Sequence, residues 1–121
     1  MGKKIAIIED DQDILKLLTV VLEGRGYEVY GAANGIDIVP QLVKEKPDLL
    51  IVDLMLPMVE GERLVDTFQK KDVTGGVPVV VLSAKSEDEI RKAAAAMGAR
   101  AWLKKPFENA DLLALVREQI G

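Results

Sequence analysis

The sequence predicts an α/β fold, a single doubly wound (βα)5 domain with a five-stranded parallel sheet. Three observations lead there. Short runs rich in β-branched residues recur at 4–8, 27–31, 49–52, 78–82 and 101–103, with helical spacing in the stretches between them. Residues 5–8, 49–52 and 79–82 are almost continuously apolar, as strands covered on both faces must be. The chain of 121 residues is the size of one compact domain, and it holds no linker, no internal repeat and no low-complexity tract beyond the alanines at 93–96. Strict alternation of strand and helix with short connections implies a parallel sheet between two helix layers, in one domain covering residues 1–121.

Each element has its own justification. After the first strand, Ile14, Leu15, Leu18, Val21 and Leu22 form a helical stripe that Gly24 and Gly26 end. The second strand, 27–31, is mixed in character and belongs at an edge. The second helical stretch, 36–45, carries Pro40 in its interior, where a proline costs ~3 kcal/mol and should kink or break the helix. The central third strand, 49–52, precedes a stripe of Leu64, Val65 and Phe68. After the fourth strand, Ile90, Ala93, Ala94 and Met97 fall at i, i+3, i+4 and i+7, with Gly98 as the stop. Ser86 and Glu89 make a capping-box pair at the start of that helix. The fifth strand, 101–103, is weak and also an edge, and Leu112, Leu115, Val116 and Ile120 form the last stripe.

Composition removes whole classes of function. There are no cysteines and no histidines, so thiolate metal sites, disulfides, imidazole acid–base catalysis and the usual triads are excluded, and zinc is disfavoured. A net charge of -4 is the wrong sign for a domain that grips phosphate backbones, so no direct nucleic-acid binding is expected. No apolar run approaches the ~20 residues of a membrane helix. The N-terminus is too short in apolar residues for a signal peptide, and Ala6 does not fit a myristoylation signal. No membrane association and a cytoplasmic location are the expectation.

Polar residues collect just past the apolar runs. Glu9, Asp10 and Asp11 follow the first, Asp53 the third, Ser83 the fourth, and Lys104 and Lys105 the fifth. In open α/β sheets ligands bind beyond the carboxyl ends of the strands, at the point where the strand order reverses. If the strand order is 2-1-3-4-5, strands one and three are neighbours at that point, and Glu9, Asp10 and Asp53 converge there, flanked by Ser83 and Lys105. Three carboxylates in one cleft repel each other and must take up protons or bind a cation. Hard oxygen ligands without His or Cys favour Mg²⁺ or Mn²⁺, and an ion with open positions suits a phosphoryl group. A lysine and a serine opposite can meet the other phosphoryl oxygens, so the constellation reads as a phosphoryl-transfer site. Asp11 and Asp13 read instead as cap and first-turn acids of a helix.

From about Lys3 to Ile120 these residues resemble the receiver domain of two-component response regulators, on a flavodoxin-like fold. The resemblance rests on Ile8-Glu9-Asp10-Asp11, on Val52-Asp53-Leu54-Met55-Leu56-Pro57 with Gly61 beyond, on Leu82-Ser83-Ala84 and on Lys104-Lys105-Pro106-Phe107, in that order. It implies that Asp53 is the phosphoacceptor, a carboxylate nucleophile. It implies that Asp10 and Asp53 ligate Mg²⁺, with Glu9 acting mostly through metal-bound water and the Met55 backbone carbonyl as a further ligand. Lys105 is then the partner of Asp53 and of the phosphoryl group, Ser83 the switch hydroxyl, and the Lys105–Pro106 bond cis. A histidine kinase or phosphotransfer protein would donate the phosphoryl group. Ser83 and Lys105 would draw inward, Trp102 would stand where the switch aromatic turns toward the core, and the face of the fourth helix, fifth strand and fifth helix would meet a downstream protein or a fused output domain. A phosphorylation-dependent homodimer is a further implied partner. Arg100-Ala101 stands where many DNA-binding relatives carry an acidic pair for dimer salt bridges, which argues against their dimer mode here. Met55 and Lys85, two residues after Asp53 and Ser83, offer no acceptor to orient an attacking water, so slow self-dephosphorylation is expected.

Two other classes compete. An aspartate-nucleophile phosphatase needs a second acid two residues after the nucleophile, where this chain has Met55, and needs a cap domain to enclose a substrate. A protein-binding receiver module that has abandoned phosphorylation usually lacks the nucleophile, the acidic pair or the lysine, and all are present. Flavin binding is disfavoured by an acidic first loop where a phosphate cradle needs Gly, Ser or Thr. The chain is therefore expected to be a switch rather than an enzyme, catalysing only its own phosphorylation and dephosphorylation.

Overall fold

A computed structural model describes residues 2–33, 35–53 and 77–121. In chain order these form β1 (Lys4–Ile8), α1 (Gln12–Glu23), β2 (Glu28–Ala32), α2 (Gly35–Glu45), β3 (Leu49–Asp53), β4 (Val79–Ser83), α3 (Glu87–Met97), β5 (Ala101–Lys104) and α4 (Asn109–Ile120). The stripe of Leu64, Val65 and Phe68 and the residue Met55 lie outside the described residues. The five strands form one sheet in the order β2-β1-β3-β4-β5, every pair parallel, as the sequence predicts.

The side-chain period of two divides the strands between two cores. Ala6, Ile8, Leu50, Val52, Val79 and Val81 face Ile38 and Leu42 of α2 and Ile90, Ala93 and Ala94 of α3. The intervening Ile5, Ile7, Leu49, Ile51, Val80 and Leu82 face Leu18 and Leu22 of α1 and Leu112 and Val116 of α4. β3 and β4 are buried at every position, which is why their sequences show no alternation. The two edge strands are only partly buried, in keeping with their mixed composition.

Helix ends follow local chemistry. Asp11 caps α1, its side chain accepting the backbone N–H groups of Asp13 and Ile14 at 2.9 and 3.2 Å. Ser86 caps α3 by accepting the Glu89 N–H at 3.3 Å, and Gly98 closes it with φ 67°, a left-handed conformation that glycine adopts without strain. α4 starts with a reciprocal Glu108–Asp111 capping box, which the apolar stripe does not reveal.

One local expectation is corrected. Pro40 does not break the second helical stretch, because α2 continues across it from Gly35 to Glu45. Ile38 and Leu42, on either side of the proline, are completely buried against the sheet. Burying two such side chains contributes about 3–6 kcal/mol, which outweighs the ~3 kcal/mol cost of the proline. Strand ends also move. β2 starts one residue later than its apolar run, and β3, β4 and β5 each extend one residue further, to Asp53, Ser83 and Lys104. Backbone pairing is indifferent to side-chain polarity, so the ladder carries the first polar residue of each run into the sheet. Among the described residues, no helix is long and apolar enough to cross a membrane.

Candidate functional site

The sheet register brings the polar strand ends to one level. Ile8 pairs with Val52, so Glu9 and Asp53 emerge side by side from adjacent strands. Asp53 pairs with Leu82, and Ser83 pairs with Lys104 on the next strand. The Glu9 N–H donates to the Ala32 carbonyl at 3.0 Å, and the Lys105 N–H donates to the Ser83 carbonyl at 2.7 Å, fixing the main chain at both sides of the cleft. The Lys105–Pro106 peptide bond is cis.

Among the described residues three polar side chains are buried at these strand ends: Glu9 at 0% exposure, Asp53 at 1% and Ser83 at 0%. The Lys105 ammonium lies 2.6 Å from Asp53 Oδ2 and 3.6 Å from Glu9 Oε1. One cation thus serves two buried carboxylates, and the balance is settled by protonation. Burial raises the Glu9 carboxyl to about 8, helped by a hydrogen bond to Asp53 and by repulsion from it, and opposed by Lys105. Among the described residues Glu9 Oε1 is buried without a hydrogen-bond partner, and Glu9 Oε2 accepts a long bond of 3.5 Å from the Asp11 N–H.

The third acid, Asp10, is not buried with Glu9 and Asp53. It is exposed, and among the described residues no group of three acidic side chains is drawn together into an ion cage. The pair that does meet still fits a divalent cation. A buried carboxyl oxygen without a partner, beside a second carboxylate and with an acid next in sequence, is the hard-oxygen donor set that Mg²⁺ takes.

The Ser83 hydroxyl accepts the Lys85 N–H at 3.1 Å. Trp102 is half-buried and packs against the core shared by α2 and α3. Lys104 is a participant to which the sequence reading assigned no role. Its ammonium donates to the Lys85 carbonyl at 2.9 Å, across the connection between β4 and α3. The available signal was its place two residues after Trp102, hence on the same side of β5.

A buried carboxylate beside a lysine and a second acid, at the carboxyl ends of a 2-1-3-4-5 parallel sheet, is the arrangement of a flavodoxin-like α/β domain with an anionic cleft. Comparison with known proteins identifies the group. The response regulator receiver domain family matches residues 5–117, and the chain belongs to that family. It is thus a receiver domain of the two-component type, a phosphoryl-accepting signalling switch. Among its relatives, the phosphate regulon transcriptional regulatory protein PhoB of Rhizobium meliloti is 35% identical over 99% of this chain and 53% of its own length. PhoB of Pseudomonas aeruginosa is 32% identical over 97% of this chain and 51% of its own. The chain therefore spans about half the length of these curated relatives. Among solved structures, the chemotaxis protein CheY4 of Vibrio cholerae superimposes with a TM-score of 0.89 at 26% identity, covering 98% of this chain and 99% of that one. The receiver domain of the sensor histidine kinase PA1611 of Pseudomonas aeruginosa, with a magnesium ion in its active-site cleft, gives 0.87 at 26% identity, covering 100% and 99%.

Proposed function

We propose that Asp53 is the phosphoacceptor of this domain and that residues 1–121 act as one switch unit. The observation that carries the assignment is the buried Asp53 carboxylate, held at 2.6 Å by Lys105 with Glu9 beside it. An Asp53 carboxylate oxygen attacks the phosphorus of a phosphohistidine on a histidine kinase or phosphotransfer protein. The P–N bond breaks, the imidazole leaves with the electron pair, and an aspartyl phosphate remains. Mg²⁺, or Mn²⁺ in its place, supplies the charge neutralisation that two or three carboxylates and a phosphoryl group need together. Asp10, Asp53 and the Met55 backbone carbonyl would hold it, with Glu9 acting through metal-bound water.

Lys105 passes from Asp53 to a phosphoryl oxygen, and Ser83 turns its O–H toward another. The added charge, up to about two units, is what moves the equilibrium. Trp102, on the edge strand β5 beside the strand that carries Ser83, responds on the face of α3, β5 and α4, which contacts a downstream protein, a fused output domain or a second copy of the chain. The domain itself contacts neither nucleic acid nor membrane, works in the cytoplasm, and catalyses only its own phosphorylation and dephosphorylation.

Incubation with acetyl phosphate, followed by intact-mass measurement, tests this. The expected result is gain of one phosphoryl group that requires both Mg²⁺ and Asp53 and is absent in Asp53→Ala. No gain from acetyl phosphate or from a phosphorylated kinase would favour a phosphorylation-independent binding module instead.

A further inference from the structure

We infer that Lys104 is a positioning residue for the switch hydroxyl. It holds the connection between β4 and α3, whose Lys85 N–H bonds the Ser83 hydroxyl oxygen at rest, and it must release that connection when Ser83 draws toward a phosphorylated Asp53. The inference rests on the assignment of Asp53 and Ser83 made above.

Both backbone groups of Lys85 are held. Its N–H donates to Ser83 Oγ at 3.1 Å, and its carbonyl accepts from Lys104 Nζ at 2.9 Å. On either side the chain has little latitude. The Ser83 carbonyl accepts the Lys105 N–H at 2.7 Å, and the next residue after Lys85 is Ser86, the cap of α3. The two consecutive lysines therefore divide the work. Lys105 grips Ser83 through its backbone N–H and Asp53 through its ammonium, while Lys104 grips the connection that contacts the Ser83 hydroxyl.

The chemistry gives the direction of the effect. Among the described residues the Lys104 ammonium bonds a carbonyl rather than a carboxylate, so the contact is charge-assisted and holds one short loop. The Ser83 hydroxyl oxygen accepts the Lys85 N–H and keeps its own O–H to donate, so what strains the contact is displacement of that oxygen as Ser83 draws toward a phosphoryl oxygen on Asp53. The Lys85 N–H must then either follow, which breaks the Lys104 contact, or lose its acceptor. A Lys104 side chain without a donor removes that resistance. The switched state then gains about threefold to tenfold relative to the resting state, the scale of one partly exposed charge-assisted hydrogen bond.

The test uses beryllofluoride, a phosphoryl analogue, with saturating Mg²⁺ and the bound fraction read by fluorine NMR. Lys104→Met, which keeps the apolar stem, should bind it about threefold to tenfold more tightly than wild type. Lys104→Arg should restore wild-type affinity, and Mg²⁺ affinity without beryllofluoride should be unchanged in both. The gain should vanish when Lys104→Met is combined with Ser83→Ala, a coupling that a merely structural lysine would not show. Equal affinity in Lys104→Met and wild type, or the same gain with and without Ser83, would overturn the inference while leaving the phosphoacceptor assignment standing. Failure of the wild type itself to bind beryllofluoride would remove that assignment, and the role of Lys104 with it. Should Lys104→Met not fold, Lys104→Gln, with a donor too short for the same reach, should show the same tightening and the same dependence on Ser83.

Discussion

Replacing Lys105 with Met removes a cation that faces both Asp53 and Glu9 while keeping most of the side-chain volume. At the 2.6 Å separation from Asp53 the pair interacts by about 6 kcal/mol at an effective dielectric of about 20. Desolvation of both ions offsets part of that, and broken buried pairs typically lose about 3–5 kcal/mol. Lys105 keeps 17% side-chain exposure, and Glu9 is already protonated at neutral pH, so a loss of about 2–3 kcal/mol is expected at pH 7. With a urea dependence of about 2 kcal/mol/M, the unfolding midpoint of the metal-free protein should fall by about 1–1.5 M. The pH dependence makes the test sharper. The raised Glu9 carboxyl binds a proton in the folded protein that the unfolded chain releases at its ordinary value of 4.5, so this contribution is lost as pH rises toward about 8. Lys105 lowers that carboxyl, so without it Glu9 rises further, and the stability deficit of the variant should be larger at pH 9 than at pH 6. Urea titrations followed by circular dichroism at the two pH values measure both effects. An unchanged midpoint, or a deficit that shrinks with pH, would refute the electrostatic account of the cleft.

Two further outcomes follow from the same geometry. Mg²⁺ must displace the proton on Glu9, so its affinity should rise with pH up to about 8, and saturating Mg²⁺ should flatten the decline in stability between pH 5 and 8. Calorimetric titration at several pH values would show this, and a pH-independent affinity would contradict it. Pro40→Ala should raise stability by about 1–3 kcal/mol, because Pro40 is exposed and α2 already runs through it. An unfolding curve that does not move would mean that α2 accommodates the proline without the usual cost.

Much of the fold was legible because burial on both faces leaves a pattern. Continuous apolar runs at β1, β3 and β4 can only be central parallel strands, and the stripes of Ile90, Ala93 and Ala94 or of Leu112 and Val116 match the faces the helices bury. That α2 continues through Pro40 was not legible, because local propensity was weighed without the tertiary contacts of Ile38 and Leu42. Lys104 was seen as a charge at a strand end and nothing more, since a lysine bonding a carbonyl 19 residues away in sequence leaves no local signature.

The order of residues alone determined the sheet, its helix layers and the identity of the polar groups at the strand ends, because hydrophobic period and strand punctuation are local properties. The meeting of Glu9 with Asp53, the exposure of Asp10, the protonation of Glu9 and the grip of Lys104 on Lys85 were decided only in three dimensions. They depend on register between strands far apart in sequence and on the removal of water from charges that the register brings together.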